Sequence, residues 1–179
     1  MYAKNLPGTT AERKRPTVPA KEARGPIVKD FMTSDVESCN ETTDLAAASI
    51  IMWRRDCGFV PAVDTVTRKV IGVVTDRDIC MAVATKGRRA SEIHVGEVMS
   101  GAVHTCAPSD SVRRALDVMR ERKVRRLPVV DAQGALTGIL SLNDIVLHSG
   151  SARDAVFGAV NQEEILETIR GISEHLQPA

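Results

Sequence analysis

The chain has 179 residues, 43% of them hydrophobic and 26% charged, a balance that fits a soluble globular core. Aromatics are only 3% and the net charge is +1, which argues against a ring-rich platform for single-stranded nucleic acid and against an overall footprint for DNA or an anionic membrane. No apolar run approaches the roughly 18 residues of a membrane span and no signal-peptide stretch opens the chain, so a cytoplasmic protein with no membrane partner is expected.

Residues 1–25 hold six basic residues against two glutamates, with Pro7, Pro16, Pro19, Gly8 and Gly25 and few large apolar side chains. Such a segment buries too little to offset its chain entropy and reads as a disordered basic tail. It is either a solvated leader or a contact for nucleic acid or another partner.

The middle of the chain is organised by an internal repeat. Residues 28–82 and 95–149 lie over one another, giving boundaries of 26–84 for the first repeat, 85–94 for a linker and 95–150 for the second. The repeats open on Phe31-Met32-Thr33 and Val98-Met99-Ser100. A short strand is expected next, through Val36 and Cys39 in one repeat and Val103 and Cys106 in the other. A helix follows, with Leu45, Ala48, Ser49 and Met52 as its apolar face in repeat 1 and Val112, Ala115, Leu116 and Met119 in repeat 2. Thr43 or Asp44, and Ser109 or Asp110, are the expected N-caps.

Each helix leads to an apolar-proline strand, Val60-Pro61-Ala62-Val63 and Leu127-Pro128-Val129-Val130, where proline suits a strand start or an edge. After a polar turn come Val70-Ile71-Gly72-Val73-Val74-Thr75 and Leu136-Thr137-Gly138-Ile139-Leu140-Ser141, each running into a second helix. The class is α/β (α+β), with the order strand, helix, strand, strand, helix in each repeat. Two units this small are expected to pack on each other.

One phrase recurs: Gly72-Val73-Val74-Thr75-Asp76-Arg77-Asp78 and Gly138-Ile139-Leu140-Ser141-Leu142-Asn143-Asp144. A hydroxyl at a strand end and a carboxylate three residues on converge on one small polar group. A carboxylate suits a vicinal diol such as ribose, and a helix start suits phosphate. Helix capping explains the Thr and Ser equally well, but by itself leaves the two Asp residues unexplained.

With both repeats in view, the chain resembles the paired cystathionine-β-synthase (CBS) domain, the Bateman module, over residues 26–150. The resemblance rests on Met32-Thr33 and Met99-Ser100, the two apolar-proline strands and the two Gly-x-x-Thr/Ser-x-x-Asp phrases. It implies two tandem CBS repeats packed with pseudo-two-fold symmetry, with two clefts between their sheets. It implies a regulatory sensor with no catalytic residues and no cofactor, whose regulatory ligand is AMP, ADP, ATP or S-adenosylmethionine. Thr75 with Asp78, and Ser141 with Asp144, would hold ribose. Arg77, Arg125 and Arg126 would meet phosphate. Val36, Val60, Val103 and Leu127 would line the adenine pockets. A homodimer joined through its helices and an effector protein as partner are implied as well. Repeat 1 has Gly58-Phe59 where repeat 2 has Arg125-Arg126, and repeat 2 has Asn143 where repeat 1 has Arg77, so the clefts are expected to differ in phosphate preference.

The alternatives are a metal or redox sensor using Cys39, Cys106, His94 and His104, and a nucleic-acid accessory protein using the basic tail. None of the four cysteines stands in a CxxC pair, and free thiols are the expectation. Arg113, Arg114, Arg120, Arg122 and Lys123 read as a solvated helix face. Trp53 reads as a packing or interface residue. Residues 151–179 read as a helical segment with Ile165, Ile169, Ile172 and Leu176 on one stripe, packed either on its own module or on a partner. No nucleophile elbow, HExxH or P-loop is present in the sequence.

Overall fold

The computed structural model describes residues 25–148 and 160–174. The basic tail therefore lies outside the described residues, apart from Gly25, as does Leu176 of the C-terminal stripe. Repeat 1 comprises α1 (Leu45–Arg54), β1 (Phe59–Val63), β2 (Val70–Thr75) and α2 (Asp76–Lys86). Repeat 2 comprises α3 (Val112–Arg122), β3 (Arg126–Val130), β4 (Leu136–Ser141) and α4 (Leu142–His148). A further helix, α5 (Gln162–Ser173), follows. β1 pairs antiparallel with β2, and β3 with β4, in matching registers: Phe59 opposite Thr75 and Arg126 opposite Ser141.

The strand expected at the start of each repeat shrinks to a single parallel bridge, Cys39 to Ala62 and Cys106 to Val129. On the side toward Glu37, proline is the reason. The Cys39 amide donates to the Pro61 carbonyl at 3.0 Å and its carbonyl accepts from Val63 at 2.9 Å. The next rung of a parallel ladder would need an N–H on Pro61, which proline lacks. Pro128 stops the Cys106 segment in the same way.

The N-cap of α1 is Asp44, whose carboxylate accepts from the Ala47 amide at 2.8 Å. The cap of α3 is Ser111, accepting from Arg114 at 3.2 Å, rather than Ser109 or Asp110. Asp110 instead closes the preceding turn on the Ala107 amide at 2.9 Å.

The opening segments cross over. Thr33 exchanges two hydrogen bonds with Ile139 of β4, both 2.9 Å, and Ser100 exchanges two with Val73 of β2, at 2.9 and 3.1 Å. This explains the glycine of the phrase. A Cβ on Gly138 would stand 2.8 Å from the Thr33 carbonyl oxygen, and one on Gly72 would collide with the Met99 side chain. The Met-Thr and Met-Ser pairs thus mark where each repeat leans on the other's sheet.

The two apolar cores are exchanged accordingly. Val28 and Phe31 join Leu116, Met119, Leu127 and Ile145 of repeat 2. Ile93 and Val95 join Leu45, Met52, Val60 and Val74 of repeat 1. The stretch expected to be a linker, 85–94, therefore ends in a core residue: Ile93 is fully buried and its carbonyl accepts from Leu45 at 2.9 Å.

α5 packs on α3 of its own module. Ile165, Thr168 and Ile172 are buried, and Arg113–Glu164 (2.8 Å) and Arg120–Glu167 (3.5 Å) pair at the margins. No helix covers α1 in the same way among the described residues. Trp53 is 88% exposed there, beside exposed Ile50, so it packs on nothing among the described residues.

Candidate functional site

Thr75 ends β2 and caps α2, and Ser141 occupies the same place between β4 and α4. The Thr75 hydroxyl accepts from the Asp78 amide at 3.2 Å. Asp78 Oδ2 accepts from the Thr75 amide at 2.9 Å and from the Thr75 hydroxyl at 2.7 Å. Ser141 and Asp144 repeat the arrangement at 3.1, 2.8 and 2.7 Å. This reciprocal capping box accounts for the carboxylate as well as the hydroxyl. It corrects the expectation that capping leaves the Asp residues unexplained. The box also orients each carboxylate, because its bonds within the described residues end on Oδ2 and leave Oδ1 turned from the cap.

Two cavities flank these phrases. The first, about 470 Å³, joins Thr75, Arg77 and Asp78 of repeat 1 to Val103, Lys123, Arg125 and Arg126 of repeat 2. Its apolar walls include Phe59, Val73 and Pro128. The second, about 340 Å³, joins Ser141 and Asp144 of repeat 2 to Val36, Glu37, Ile51 and Arg55 of repeat 1, with Phe59 and Ile139 as walls. Phe59 and Arg126 border both.

The structure thus gathers Thr75, Asp78, Arg77, Arg125, Arg126 and Val103 in one cleft, and Ser141, Asp144 and Val36 in the other. Val60 and Leu127 belong to neither. They are 1% and 0% exposed inside the two cores, which corrects their assignment to adenine pockets. Register gives the reason. Val60 lies opposite Val74 and Leu127 opposite Leu140, the core-facing pairs, whereas Phe59 lies opposite Thr75 and Pro61 opposite Val73. The period-two alternation outward from Thr75 and Ser141 carries this signal, and it points to Phe59, Val73 and Ile139 as wall residues. Lys123, which reads from sequence as part of a solvated helix face, and His104, which reads as a metal candidate, also line the first cleft.

The clefts differ in charge. The first sets Arg77, Lys123, Arg125 and Arg126 against Asp76 and Asp78, a balance of +2. None of these four cations is ion-paired among the described residues. The second sets Arg55 and Arg126 against Asp35, Glu37, Asp56 and Asp144, a balance of −2. Its Arg55 is already committed, to Glu37 at 2.7 Å and Asp35 at 2.9 Å, and these bonds hold the guanidinium further into its charged form.

Cys39 and Cys106 are buried in separate cores. Burial pushes their thiols up to about 11 and about 12, so both stay protonated and are poor metal ligands or nucleophiles at neutral pH. His94 bonds the Thr42 carbonyl at 2.9 Å, and His104 borders the first cleft. The four residues weighed for metal do not converge, and among the described residues no group of three His, Cys, Asp or Glu side chains is placed to hold a metal ion. No described helix is long and apolar enough to cross a membrane.

The family model for the CBS domain matches this chain twice, over residues 28–85 and 95–150. The chain belongs to the CBS-domain family. This CBS pair is similar to YhcV of Bacillus subtilis, a CBS domain-containing protein, at 34% identity over 128 residues, 72% of this chain and 89% of that one. It is 31% identical to hypoxic response protein 1 of Mycobacterium tuberculosis over 120 residues, 67% of this chain and 82% of the other. Among solved structures, CBSX2 in complex with AMP superposes with a TM-score of 0.59 at 28% identity, over 69% of this chain and 95% of CBSX2. The match to the CBS pair ends at residue 150, so α5 lies outside it.

Proposed function

We propose that this CBS pair is a regulatory sensor whose first cleft binds an adenosine nucleotide. The observation that carries the reading is the meeting, in one cavity, of an oriented hydroxyl–carboxylate pair with four cations that lack a carboxylate partner among the described residues. The Thr75 hydroxyl and Asp78 Oδ1 suit a ribose diol, Phe59, Val73, Val103 and Pro128 supply apolar walls for the base, and Arg77, Arg125 and Arg126 suit phosphate. The likeness to a protein solved with AMP supports the same ligand class. In the second cleft Ser141, Asp144 and Val36 provide a parallel frame with the opposite charge, which favours an uncharged or sulfonium-bearing adenosyl ligand such as S-adenosylmethionine.

Each cleft takes its walls from both repeats, so a bound ligand favours the arrangement of repeats it fits best. That differential affinity is the signal. The exposed apolar side chains Ile50, Trp53 and Met81 on α1 and α2, with Leu147 on α4, suit the helix-mediated contact of a homodimer. A protein effector would read the shift.

Calorimetric titration with AMP, ADP, ATP, S-adenosylmethionine and NADH tests the reading, using wild type, Asp78→Ala and Asp144→Ala. Loss of the capping box costs each variant about 1 kcal/mol of stability, checked by thermal melting. Phosphorylated ligands are expected to lose saturable binding in Asp78→Ala and to keep it in Asp144→Ala. No heat with any ligand overturns the reading and leaves Thr75 and Ser141 as helix caps.

A further inference from the structure

α5 lies outside both CBS repeats, yet its last turn reaches the ligand face. A separate cavity of about 310 Å³ sits between that turn and the start of α4. Its polar lining is Arg125, Arg126, Ser141, Asn143 and Ser173, with Ile169 and Ile172 of α5 among its apolar wall. No carboxylate among the described residues lines it, in contrast to both clefts. Two guanidinium groups and a carboxamide with no acid in the lining are the chemistry of an anion site, and guanidinium forks match phosphoryl oxygens in particular, while the Ser141 and Ser173 hydroxyls already donate to Asp144 and to the Ile169 carbonyl.

The cavity shares Arg126, Ser141 and Asn143 with the second cleft, and Arg125, Arg126 and Ile172 with the first, so that Arg125 and Ile172 tie it to the first cleft alone. A ligand whose phosphate reaches the arginine pair therefore stands at its edge. The cavity beside Gly58 and the start of α2 in repeat 1 is lined by Asp56 and Asp76 instead, because Gly58 and Phe59 take the places of Arg125 and Arg126, and no described helix covers α1 as α5 covers α3.

We propose that this cavity receives the terminal phosphates of a nucleoside di- or triphosphate whose nucleoside occupies the first cleft, so that α5 distinguishes nucleotides by phosphate number. The inference rests on the nucleotide reading of that cleft. A monophosphate ends at the arginine pair. A longer chain continues under Ile169 and Ser173 and contacts α5 directly. α5 is held to α3 by the burial of Ile165 and Ile172 and by two ion pairs at its margin, so phosphate engagement of its last turn transmits to the whole helix.

The test is calorimetric titration of the full chain with AMP, ADP, ATP and inorganic pyrophosphate, comparing wild type, Ser173→Asp and Ser173→Lys. Ser173 lines neither cleft, and its hydroxyl bonds only the Ile169 carbonyl of its own helix, at 2.8 Å, so both changes act at the cavity. ATP affinity is expected to fall on the order of tenfold in Ser173→Asp and to rise in Ser173→Lys, with AMP affinity nearly constant. Amide exchange in α5 is expected to slow with ATP and not with AMP. The two opposite charge changes cannot produce opposite shifts in ATP affinity through misfolding. Nucleotide binding that ignores both variants overturns the subsite and leaves the first cleft's reading intact. Absence of nucleotide binding to wild type overturns both.

Discussion

The segment Asp56-Cys57-Gly58-Phe59 after α1 and the segment Lys123-Val124-Arg125-Arg126 after α3 have the same backbone and different chemistry. Each begins with a left-handed residue, Asp56 at φ 47° and Lys123 at φ 55°. In each the next amide bonds back to a helix methionine carbonyl, Met52 or Met119, at 3.0 Å. Each ends opposite the hydroxyl of a phrase, Phe59 by Thr75 and Arg126 by Ser141. Over these four residues the charge is −1 in one segment and +3 in the other. Because the repeats pack face to face, the basic segment faces the Thr75 cleft and the acidic one the Ser141 cleft. A duplicated frame keeps the geometry of two sites while leaving the ligand of each to a few exposed side chains.

Transplanting the segment breaks this comparison most directly. The double change Arg125→Gly with Arg126→Phe gives repeat 2 the side chains of repeat 1. It removes two of the cations proposed to meet phosphate, for which a charged hydrogen bond is worth about 1.5–3 kcal/mol each. Phosphorylated ligands are expected to lose at least two orders of magnitude in affinity by calorimetry, while thermal stability stays near wild type.

The glycines of the phrase give the next effect. Gly138→Ala sets a methyl against the Thr33 carbonyl, part of the backbone, and is expected to cost about 2 kcal/mol in denaturant melts. Gly72→Ala meets only the Met99 side chain, which can turn aside, and is expected to cost less. Equal losses would show that the two crossovers are equally rigid.

The left-handed positions act in the opposite direction. Lys123→Gly relieves a strained backbone and is expected to add about 0.5–1 kcal/mol of stability, while weakening phosphate binding by removal of a cation. Asp56→Gly gains less, since aspartate tolerates this region better than lysine.

At neutral pH the smallest effect concerns two buried thiols in separate cores. Cys39 and Cys106 hold their protons when folded up to about 11 and about 12, above the ordinary 9.0, because burial disfavours the thiolate. The unfolded chain releases those protons first as pH rises. The contribution is fully present below about pH 9 and is lost on the way through the folded values, so melting temperature falls across that window. At pH 8 a thiol reagent is expected to label exposed Cys80 in the native protein and to spare Cys39 and Cys106 until unfolding.

Much of this was legible in the sequence. The repeat shows as self-similarity, and the helix–strand–strand–helix part of each unit, the α1 cap at Thr43 or Asp44, the apolar faces of α1 and α3, and the Thr75–Asp78 and Ser141–Asp144 phrases are within reach of propensity, periodicity and capping, whereas the first strand of each repeat is not formed. Of the stripe read on α5, Ile165 and Ile172 are buried as the periodicity implies, but Ile169 is exposed and Thr168 is buried beside them instead.

The tertiary structure alone decided three things. It exchanged the opening segments, so that Thr33 bonds Ile139 and Ser100 bonds Val73, pairings more than twenty residues apart that no local pattern encodes. It turned Val60 and Leu127 into the cores and left Phe59 and Arg126 between the clefts, because sheet register assigns the face and a proline strand buried on both sides hides its alternation. It brought Arg125 and Arg126 to Thr75 rather than Ser141 alone, and set the end of α5 beside them. Residue type and spacing specify the parts of each site, whereas the docking of one repeat on the other determines which parts meet.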